Sequence, residues 1–253
     1  MRLAEMIQTI ETVRQYWDRQ PCNSTDFTPD KYQLEPHIPG FAQFNRWTGK
    51  KVLEIGVGIG YDASNFARAG AYYTGVDLSE KSLELCRKRF EVYGLGGRFY
   101  HGNAETLSSF LPVESYDLIY SFGVIHHTPH PEKVFEEIKK YCSPDTEIRI
   151  MLYARWSWKV LRIILVQGRG AFWKRDELVR NYSEAQANCP VVNIYSFGEI
   201  RRLLRDLEII EMKKDYLSLW GREKGLIERL PRFFRQWLAR WLGWNILIVA
   251  RLK

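Results

Sequence analysis

The chain has 253 residues, a formal net charge of +7 and a hydrophobic fraction of 45%. That length suits one α/β domain with a sizeable core, so we expect a single domain over residues 1–253. No apolar run approaches the ~18 residues of a membrane span, and the first residues lack the apolar run of a signal peptide. The four scattered cysteines match neither a disulfide framework nor a metal site. We therefore expect a cytoplasmic protein with reduced thiols and no bound metal.

Apolar strand patterns and helical patterns alternate from residue 50 onwards. The sequence predicts strands at residues 51–55, 72–76, 98–101, 117–122, 147–152, 208–212 and 244–250. Ser196 and Glu199 have the spacing of a capping box at the start of a helix between the last strands. This order is typical of an α/β fold with a doubly wound sheet of seven strands.

The first predicted strand runs directly into a glycine-rich turn, Glu54-x-Gly56-x-Gly58-x-Gly60. Glycines at such a turn let the backbone lie against a nucleotide-like ligand, although the same pattern also serves as a plain tight turn. The dinucleotide-binding spacing G-x-G-x-x-G would need a third glycine at position 61, where Tyr61 stands. The turn therefore indicates a different nucleotide-like ligand.

Two further motifs follow the second and third predicted strands. Asp77 lies about 20 positions beyond the first glycine, where a carboxylate reaches ribose hydroxyls in nucleotide-binding α/β folds. The third strand is followed by Gly102-Asn103-Ala104-Glu105. The combination of a buried strand, a glycine turn and a well-spaced acid favours ligand binding over a plain turn.

These motifs resemble those of the class I S-adenosylmethionine (SAM) dependent methyltransferases. The resemblance covers residues 50–150 closely and the rest of the chain in topology only. It implies an α/β, Rossmann-like methyltransferase sheet of seven strands, doubly wound, with the last strand antiparallel and with helical cap insertions. It also implies SAM as the cofactor and S-adenosylhomocysteine as the product.

The same resemblance implies individual cofactor contacts. Glu54 would approach the amino end of SAM, Asp77 would accept both ribose hydroxyls, and Leu78 would pack on the adenine. Asn103 stands where the family often has aspartate, and its amide oxygen can accept the adenine amino group more weakly. The complete implied set of cofactor-binding residues is Glu54, Gly56, Gly58, Gly60, Asp77, Leu78, Asn103, Ala104 and Ser121.

A histidine-rich segment, residues 121–131, follows the fourth predicted strand. It resembles the His-His-x-Pro-x-Pro segment of a subfamily that includes quinone and small-metabolite methyltransferases. Ligands bind beyond the carboxyl ends of strands in open α/β sheets, so this segment should face the transferred methyl group. We expect His126 to act as the base and His127 to be hydrogen-bonded inside the fold. A purely structural role for either histidine stays open.

Three segments flank or interrupt the predicted SAM-binding core, residues 50–152. They are an N-terminal helical cap (1–49), a lid insertion (153–195), and an insertion (215–243) within the C-terminal part of the sheet (196–253). Residues 50–151 carry a net charge of −2, whereas residues 153–180 carry +5 and residues 222–240 carry +4. Related enzymes place substrate-binding additions here, so we expect the substrate and lid residues to be Tyr16, Trp17, Tyr32, Tyr153, Arg155 and Trp156.

The second insertion carries apolar residues along one helical face among several arginines. These apolar residues are Leu226, Leu230, Phe233, Trp237 and Trp241. Basic amphipathic helices favour peripheral membrane or lipid contact. The same faces can instead pack on the core as a lid, and both interpretations stay open.

The sequence therefore predicts methyl transfer from SAM, by in-line displacement, to a small or medium, partly apolar molecule that can be acidic or lipid-like. The alternatives are a non-catalytic SAM-binding module and an RNA or protein methyltransferase. A nucleic-acid partner is disfavoured, because the Asn-Pro-Pro-Tyr motif of nucleic-acid amino methyltransferases is absent after the fourth strand. The residues do not distinguish oxygen, nitrogen and carbon acceptors, and they leave the oligomeric state open.

Overall fold

The computed structural model describes residues 3–19, 21, 31–184, 187–219, 225, 227 and 229–253. Its strands are β1 (Lys51–Ile55), β2 (Tyr72–Asp77), β3 (Arg98–His101), β4 (Tyr116–Phe122), β5 (Cys142–Ala154), β6 (Ile194–Tyr195), β7 (Leu207–Asp215) and β8 (Asn245–Leu252). The main helices are α1 (Leu3–Arg19), α2 (Lys31–Leu34), α3 (Ile38–Ala42), α4 (Tyr61–Arg68), α5 (Glu80–Val92), α6 (Pro131–Lys139), α7 (Trp158–Val166), α8 (Arg175–Tyr182), α9 (Phe197–Leu203) and α10 (Arg232–Leu242).

The strands form one sheet in the order β3-β2-β1-β4-β5-β8-β7, and the short β6 pairs with β5. β8 runs antiparallel to both of its neighbours, whereas the strands from β3 to β5 pair in parallel. Two apolar clusters cover the two faces of the sheet, with α4, α5 and α7 on one side and α6 and α9 on the other. The predicted Rossmann-like methyltransferase sheet with an antiparallel last strand is confirmed, and β6 is an unpredicted addition.

β5 begins at Cys142, before the predicted start at residue 147. A register shift between Tyr116 and Leu118 lets Cys142 pair with Tyr116. The Thr146 hydroxyl then donates to the Tyr116 carbonyl at 2.5 Å. Pro144 and Asp145 are poor strand formers, so the sequence pattern did not predict this irregular extension of β5.

The segments outside the sheet pack against it as helices. α1 lies against α5, where the Ser79 hydroxyl donates to the Asp18 carboxylate at 2.6 Å. α7 and α8 pack together between β5 and β6, and the predicted capping box of Ser196 and Glu199 is present at α9. Cys22 and Leu226 lie outside the described residues, and the other three cysteines are free thiols. Within the described ranges, no helix combines the length and apolarity needed to cross a bilayer.

The turn between β1 and α4 depends on glycine at two positions. Gly56 and Gly60 both have a φ of +82°, a left-handed conformation that L side chains rarely adopt. A Cβ at Gly56 would lie 2.1 Å from Val124 Cγ2, and one at Gly60 would lie 2.6 Å from Cys86 Sγ. The turn therefore needs both the backbone freedom and the small volume of glycine.

Replacing Gly56 with alanine should destabilise the fold by about 3 kcal/mol, because backbone strain of ~1–2 kcal/mol adds to overpacking of ~1–3 kcal/mol. Gly94→Ala is the matched control: its φ is +62°, but no atom lies within 4 Å of the added Cβ. The control should therefore lose only the backbone part in urea denaturation. Adding Val124→Ala to Gly56→Ala should restore part of the loss, and equal losses in the two single variants would contradict the close-approach explanation.

Candidate active site

A cavity of about 560 Å³ lies beyond the carboxyl ends of β1, β2 and β4. The glycine turn after β1, the ends of β2 and β3, the loop after β4, and helices α1 and α2 line it. Its volume falls in the range of small-molecule sites. The chain order of the sheet reverses between β1 and β4, which is where open α/β sheets bind ligands.

Asp77 lines one end of the cavity and is held by backbone amides. Its Oδ2 accepts from the Gly58 amide at 2.8 Å, and its Oδ1 accepts from the Ser79 amide at 2.8 Å. Burial raises the pKa of Asp77 to about 6, and the two amides oppose that shift. Because each carboxylate oxygen has a further lone pair, Asp77 can accept ligand hydroxyls without losing its backbone partners.

Leu78, Asn103 and Ala104 line the neighbouring part of the cavity. The Asn103 side-chain oxygen accepts from the Glu105 amide at 3.0 Å and so caps the 3₁₀ turn Ala104–Ser109. Part of its accepting capacity is therefore already used. An adenine amino group would have to use the second lone pair, and this contact stays a prediction.

Glu54 and Asp62 place two buried carboxylates beside the glycine turn. Glu54 accepts from the Tyr73 hydroxyl at 2.6 Å. Burial, and then the nearby charge of Asp62, raises the pKa of Glu54. A positive charge beside these carboxylates opposes both effects, as the Lys31 ammonium near Asp62 already does in part. This end of the cavity therefore suits a further positively charged group.

Asp62 is a cavity residue that the sequence motifs did not reveal. It lies in the first turn of α4, where it accepts from the hydroxyls of Tyr32 at 2.8 Å and Tyr120 at 3.0 Å. The Lys31 ammonium lies 3.1 Å from Asp62 Oδ1, the same oxygen that accepts from Tyr32. An acid in the first turn after a glycine loop was the only sequence signal, and it resembles an ordinary helix-terminus charge.

The two adjacent histidines face different environments from the 3₁₀ turn Ile125–His127. His126 is fully buried, its ring centroid lies 3.6 Å from that of Tyr153, and it does not line the cavity. His127 does line the cavity; its Nδ1 lies 2.8 Å from the Val191 carbonyl and its Nε2 lies 3.9 Å from Glu184 Oε1. The structure thus corrects the expected orientation, because a one-residue step in a 3₁₀ turn rotates the side chain by about 120°.

Two of the expected cofactor residues, Ser121 and Gly60, lie behind the residues that line the cavity. Ser121 is fully buried and donates from its hydroxyl to the Ile55 carbonyl at 3.0 Å, which ties β4 to β1. Gly60 lies against Cys86 on the far side of the turn. Neither lines the cavity, whereas Gly56 and Gly58 do.

The expected N-terminal cap residues divide between the cavity and the core. Trp17 lines the cavity, and its ring centroid lies 5.1 Å from that of His127 in an edge-on arrangement. Tyr16 is buried in the apolar core outside the lining. Tyr32 also lies outside the lining and bonds to Asp62.

The expected residues after β5 do not reach the cavity. Tyr153 is buried in the core. Arg155 forms an ion pair with Glu199 at 2.7 Å and donates to the Ile194 carbonyl at 3.2 Å, so local partners hold its guanidinium. Trp156 is 67% exposed on the surface. Closeness to the end of β5 in the sequence therefore did not predict that these side chains point away from the cavity.

The lid insertion instead reaches the site through residues near its end. Glu184 lines the cavity opposite His127. The Asn193 backbone amide donates to the His126 carbonyl at 2.8 Å, and its side-chain amide donates to the Thr128 carbonyl at 3.0 Å. These bonds hold the histidine turn in place. The only sequence signal was that Glu184 is the sole acid between residues 178 and 198.

Residues 53–150 match the family model described as a methyltransferase domain. The ubiquinone biosynthesis O-methyltransferase of Actinobacillus pleuropneumoniae is 33% identical over 100 residues, covering 38% of this chain and 43% of that protein. The phthiotriol/phenolphthiotriol dimycocerosates methyltransferase of Mycobacterium leprae is 35% identical over 99 residues, covering 38% and 35%. The chain thus matches less than half the length of these two curated relatives.

Similarity of fold extends over nearly the whole chain. The structure of magnesium protoporphyrin IX methyltransferase from Synechocystis PCC 6803 with bound S-adenosylhomocysteine gives a TM-score of 0.62 at 15% identity, covering 96% of this chain and 99% of that one. The glycine turn, Asp77 and the histidine turn all fall within the matched residues 53–150. Residues 53–150 therefore match a methyltransferase domain, and the chain has the fold of class I SAM-dependent methyltransferases.

Proposed function

We propose that this protein transfers a methyl group from SAM to a hydroxyl of a small or medium, partly apolar molecule. The observation that carries the proposal is a single cavity lined by Asp77 at one end and His127 at another wall. When bound, SAM supplies a methyl group activated on a sulfonium. The acceptor oxygen forms the new bond to carbon as the carbon–sulfur bond breaks, and a base removes the acceptor's proton.

The residues around the cavity fit a nucleoside cofactor. Gly58 leaves room for close backbone approach, and Asp77 keeps lone pairs free for the ribose hydroxyls. Leu78 and Ala104 offer apolar contact to a base. The buried carboxylate of Glu54 suits the ammonium of the amino acid end.

The charge of the cavity lining favours binding of SAM over binding of the product, S-adenosylhomocysteine. Lys31 is the sole lysine among the described lining residues, against the five acidic side chains of Glu35, Glu54, Asp62, Asp77 and Glu184. Burial raises the pKa of Glu35, Glu54 and Asp77, so the approach of a cation favours their ionised forms. The SAM sulfonium is positive, whereas the sulfur of S-adenosylhomocysteine is neutral. The acidic lining therefore attracts the charged cofactor more strongly and assists release of the product.

His127 is the residue that we propose as the base. The Val191 carbonyl can only accept a hydrogen bond, so the ring proton lies on Nδ1 and Nε2 keeps its lone pair. Burial lowers the pKa of His127, which keeps the ring neutral at pH 7, and the Glu184 carboxylate opposes that shift. Glu184 would therefore stabilise the ring once the acceptor's proton has arrived at Nε2.

The acceptor class rests on the apolar wall of the cavity and on the relatives. Ile10, Val13, Trp17 and Leu34 are the apolar residues that α1 and α2 contribute to this wall. The relatives are named for ubiquinone biosynthesis and for methylation of phthiotriol dimycocerosates, which supports a lipid-like acceptor with a hydroxyl. A peripheral lipid contact through the basic insertions is consistent with the same acceptor class. We also propose that the chain is one domain whose helices α1 and α2 cap the cavity.

The direct test is release of S-adenosylhomocysteine from SAM across a library of hydroxylated quinones, phenols and lipid alcohols. We expect turnover with at least one partly apolar alcohol or phenol, and none with Asp77→Ala at matched concentration. Bound SAM without turnover across the library would favour a non-catalytic binding module. Turnover with RNA or protein alone would contradict the proposed acceptor class.

Affinity for S-adenosylhomocysteine should increase as pH rises through about 6, the pKa of Asp77. Ionised Asp77 accepts both ribose hydroxyls, so the Kd at pH 5 should be about tenfold weaker than at pH 7. Asp77→Asn should bind weakly at both pH values. The free energy of unfolding of the ligand-free protein should depend on pH in the opposite direction. The pKa of Asp77 in the folded state lies above the ordinary 3.8, so its contribution to stability is lost as pH rises from about 4 to 6. A Kd independent of pH would contradict this role.

His127→Ala should lower kcat by about 100-fold or more while leaving the Kd for SAM nearly unchanged. His126→Ala is the matched control, because its buried ring packs on Tyr153 away from the cavity. It should lower the free energy of unfolding by about 2–4 kcal/mol and keep most turnover below its melting temperature. Loss of turnover in His126→Ala alone would restore the assignment of His126 as the base.

A further inference from the structure

Helix α10 carries an aromatic stripe on its solvent-exposed side. Phe233, Trp237 and Trp241 follow each other at the four-residue spacing that aligns side chains along a helix. They are 72%, 54% and 66% exposed. Large aromatic side chains exposed together in this way are unusual for a surface that meets only water.

The first insertion places a fourth exposed aromatic residue, Trp156, near the end of this stripe. The Lys214 ammonium donates to the Trp156 carbonyl at 2.5 Å and to the Trp241 carbonyl at 2.9 Å. One side chain thus holds the start of the first insertion beside the end of α10. We call Trp156, Phe233, Trp237 and Trp241 together the aromatic face.

The charged residues of α10 itself all have one sign. α10 contains Arg232, Arg235 and Arg240 and no acid, and residues 229–253 contain no acid at all. The side chains of Arg232 and Arg240 are exposed, and Arg240 lines a shallow groove with Phe233 and Trp237. Exposed aromatic rings among arginines match the interface of an anionic lipid bilayer, where rings enter the headgroup region and guanidinium groups meet phosphates.

We propose that the aromatic face, with Arg232 and Arg240, docks this protein on the surface of an anionic lipid membrane. α10 then lies in the plane of the interface, with its stripe among the headgroups and its basic side chains against lipid phosphates. The helix has 11 residues, which suits surface binding and is too short to span the bilayer.

The position of the aromatic face relates this contact to the cavity. Asn245, which follows α10, pairs with Tyr153 near the end of β5 and with Asp215 at the end of β7. The end of α10, with Trp241 and the neighbouring Trp156, therefore lies at the carboxyl edge of the sheet, the same edge as the cavity. A docked protein would hold this edge near the bilayer, where a lipid-like acceptor resides. Docking itself does not require that methyl transfer occurs.

The test is co-sedimentation of the full chain with vesicles of phosphatidylcholine alone or with 30% phosphatidylglycerol. We expect binding to the anionic vesicles that weakens steeply at 0.5 M salt. Arg232→Gln with Arg240→Gln should weaken partitioning by about 25-fold, since each basic residue near the surface contributes about fivefold. Phe233→Glu with Trp237→Glu should weaken it by at least about tenfold.

Tyr72→Glu is the matched control, since Tyr72 is 70% exposed but begins β2 at the opposite edge of the sheet. It should bind vesicles as the unchanged protein does. Unchanged SAM affinity and melting temperature in all variants would show that folding and the cavity are intact. Failure of the unchanged protein to bind anionic vesicles, or equal binding by the aromatic-face variants, would overturn the proposal. So would a dimer in analytical ultracentrifugation that Phe233→Glu with Trp237→Glu abolishes, because a second copy would then cover this face.

Discussion

The cavity depends on the hydrogen bonds that Asp77 accepts from the backbone amides of Gly58 and Ser79. One bond reaches the turn after β1 and the other reaches the start of α5, so one carboxylate holds two neighbouring strand ends in register. Gly56 allows the turn to lie against Val124 in the loop after β4, which brings a third strand end to the same point. Burying the carboxylate raises its pKa, and this unfavourable term is relieved when ligand hydroxyls donate to it.

The parts of the chain around this arrangement contribute differently to chemistry. The β1, β2 and β3 ends present backbone amides, Asp77 and Asn103, which are suited to a nucleoside whatever the acceptor. The insertion after β5 presents Glu184 to His127 and fixes the histidine turn through Asn193. The nucleoside end of the cavity thus belongs to the common sheet, whereas the groups that contact the proposed base and its turn come from an insertion.

The sheet could be predicted because its signals are local: apolar periodicity placed β1 and β3, and the glycine turn with a spaced acid placed Asp77 at the cavity. His127 forms a hydrogen bond inside the fold, as expected, but it also lines the cavity, whereas His126 does not. Sequence spacing could not distinguish the two, because adjacent residues differ only by the rotation of a 3₁₀ turn. Asp62 and Glu184 were missed because their partners are distant in the chain and meet them only after folding.

The central claim is that the glycine turn and Asp77 form a site for SAM and not for a dinucleotide. Isothermal titration of the full chain with SAM and, separately, with NAD tests it most directly. We expect one SAM to bind per chain and NAD to give no heat of binding, because Tyr61 stands where the dinucleotide spacing requires glycine. Binding of NAD without binding of SAM would contradict it.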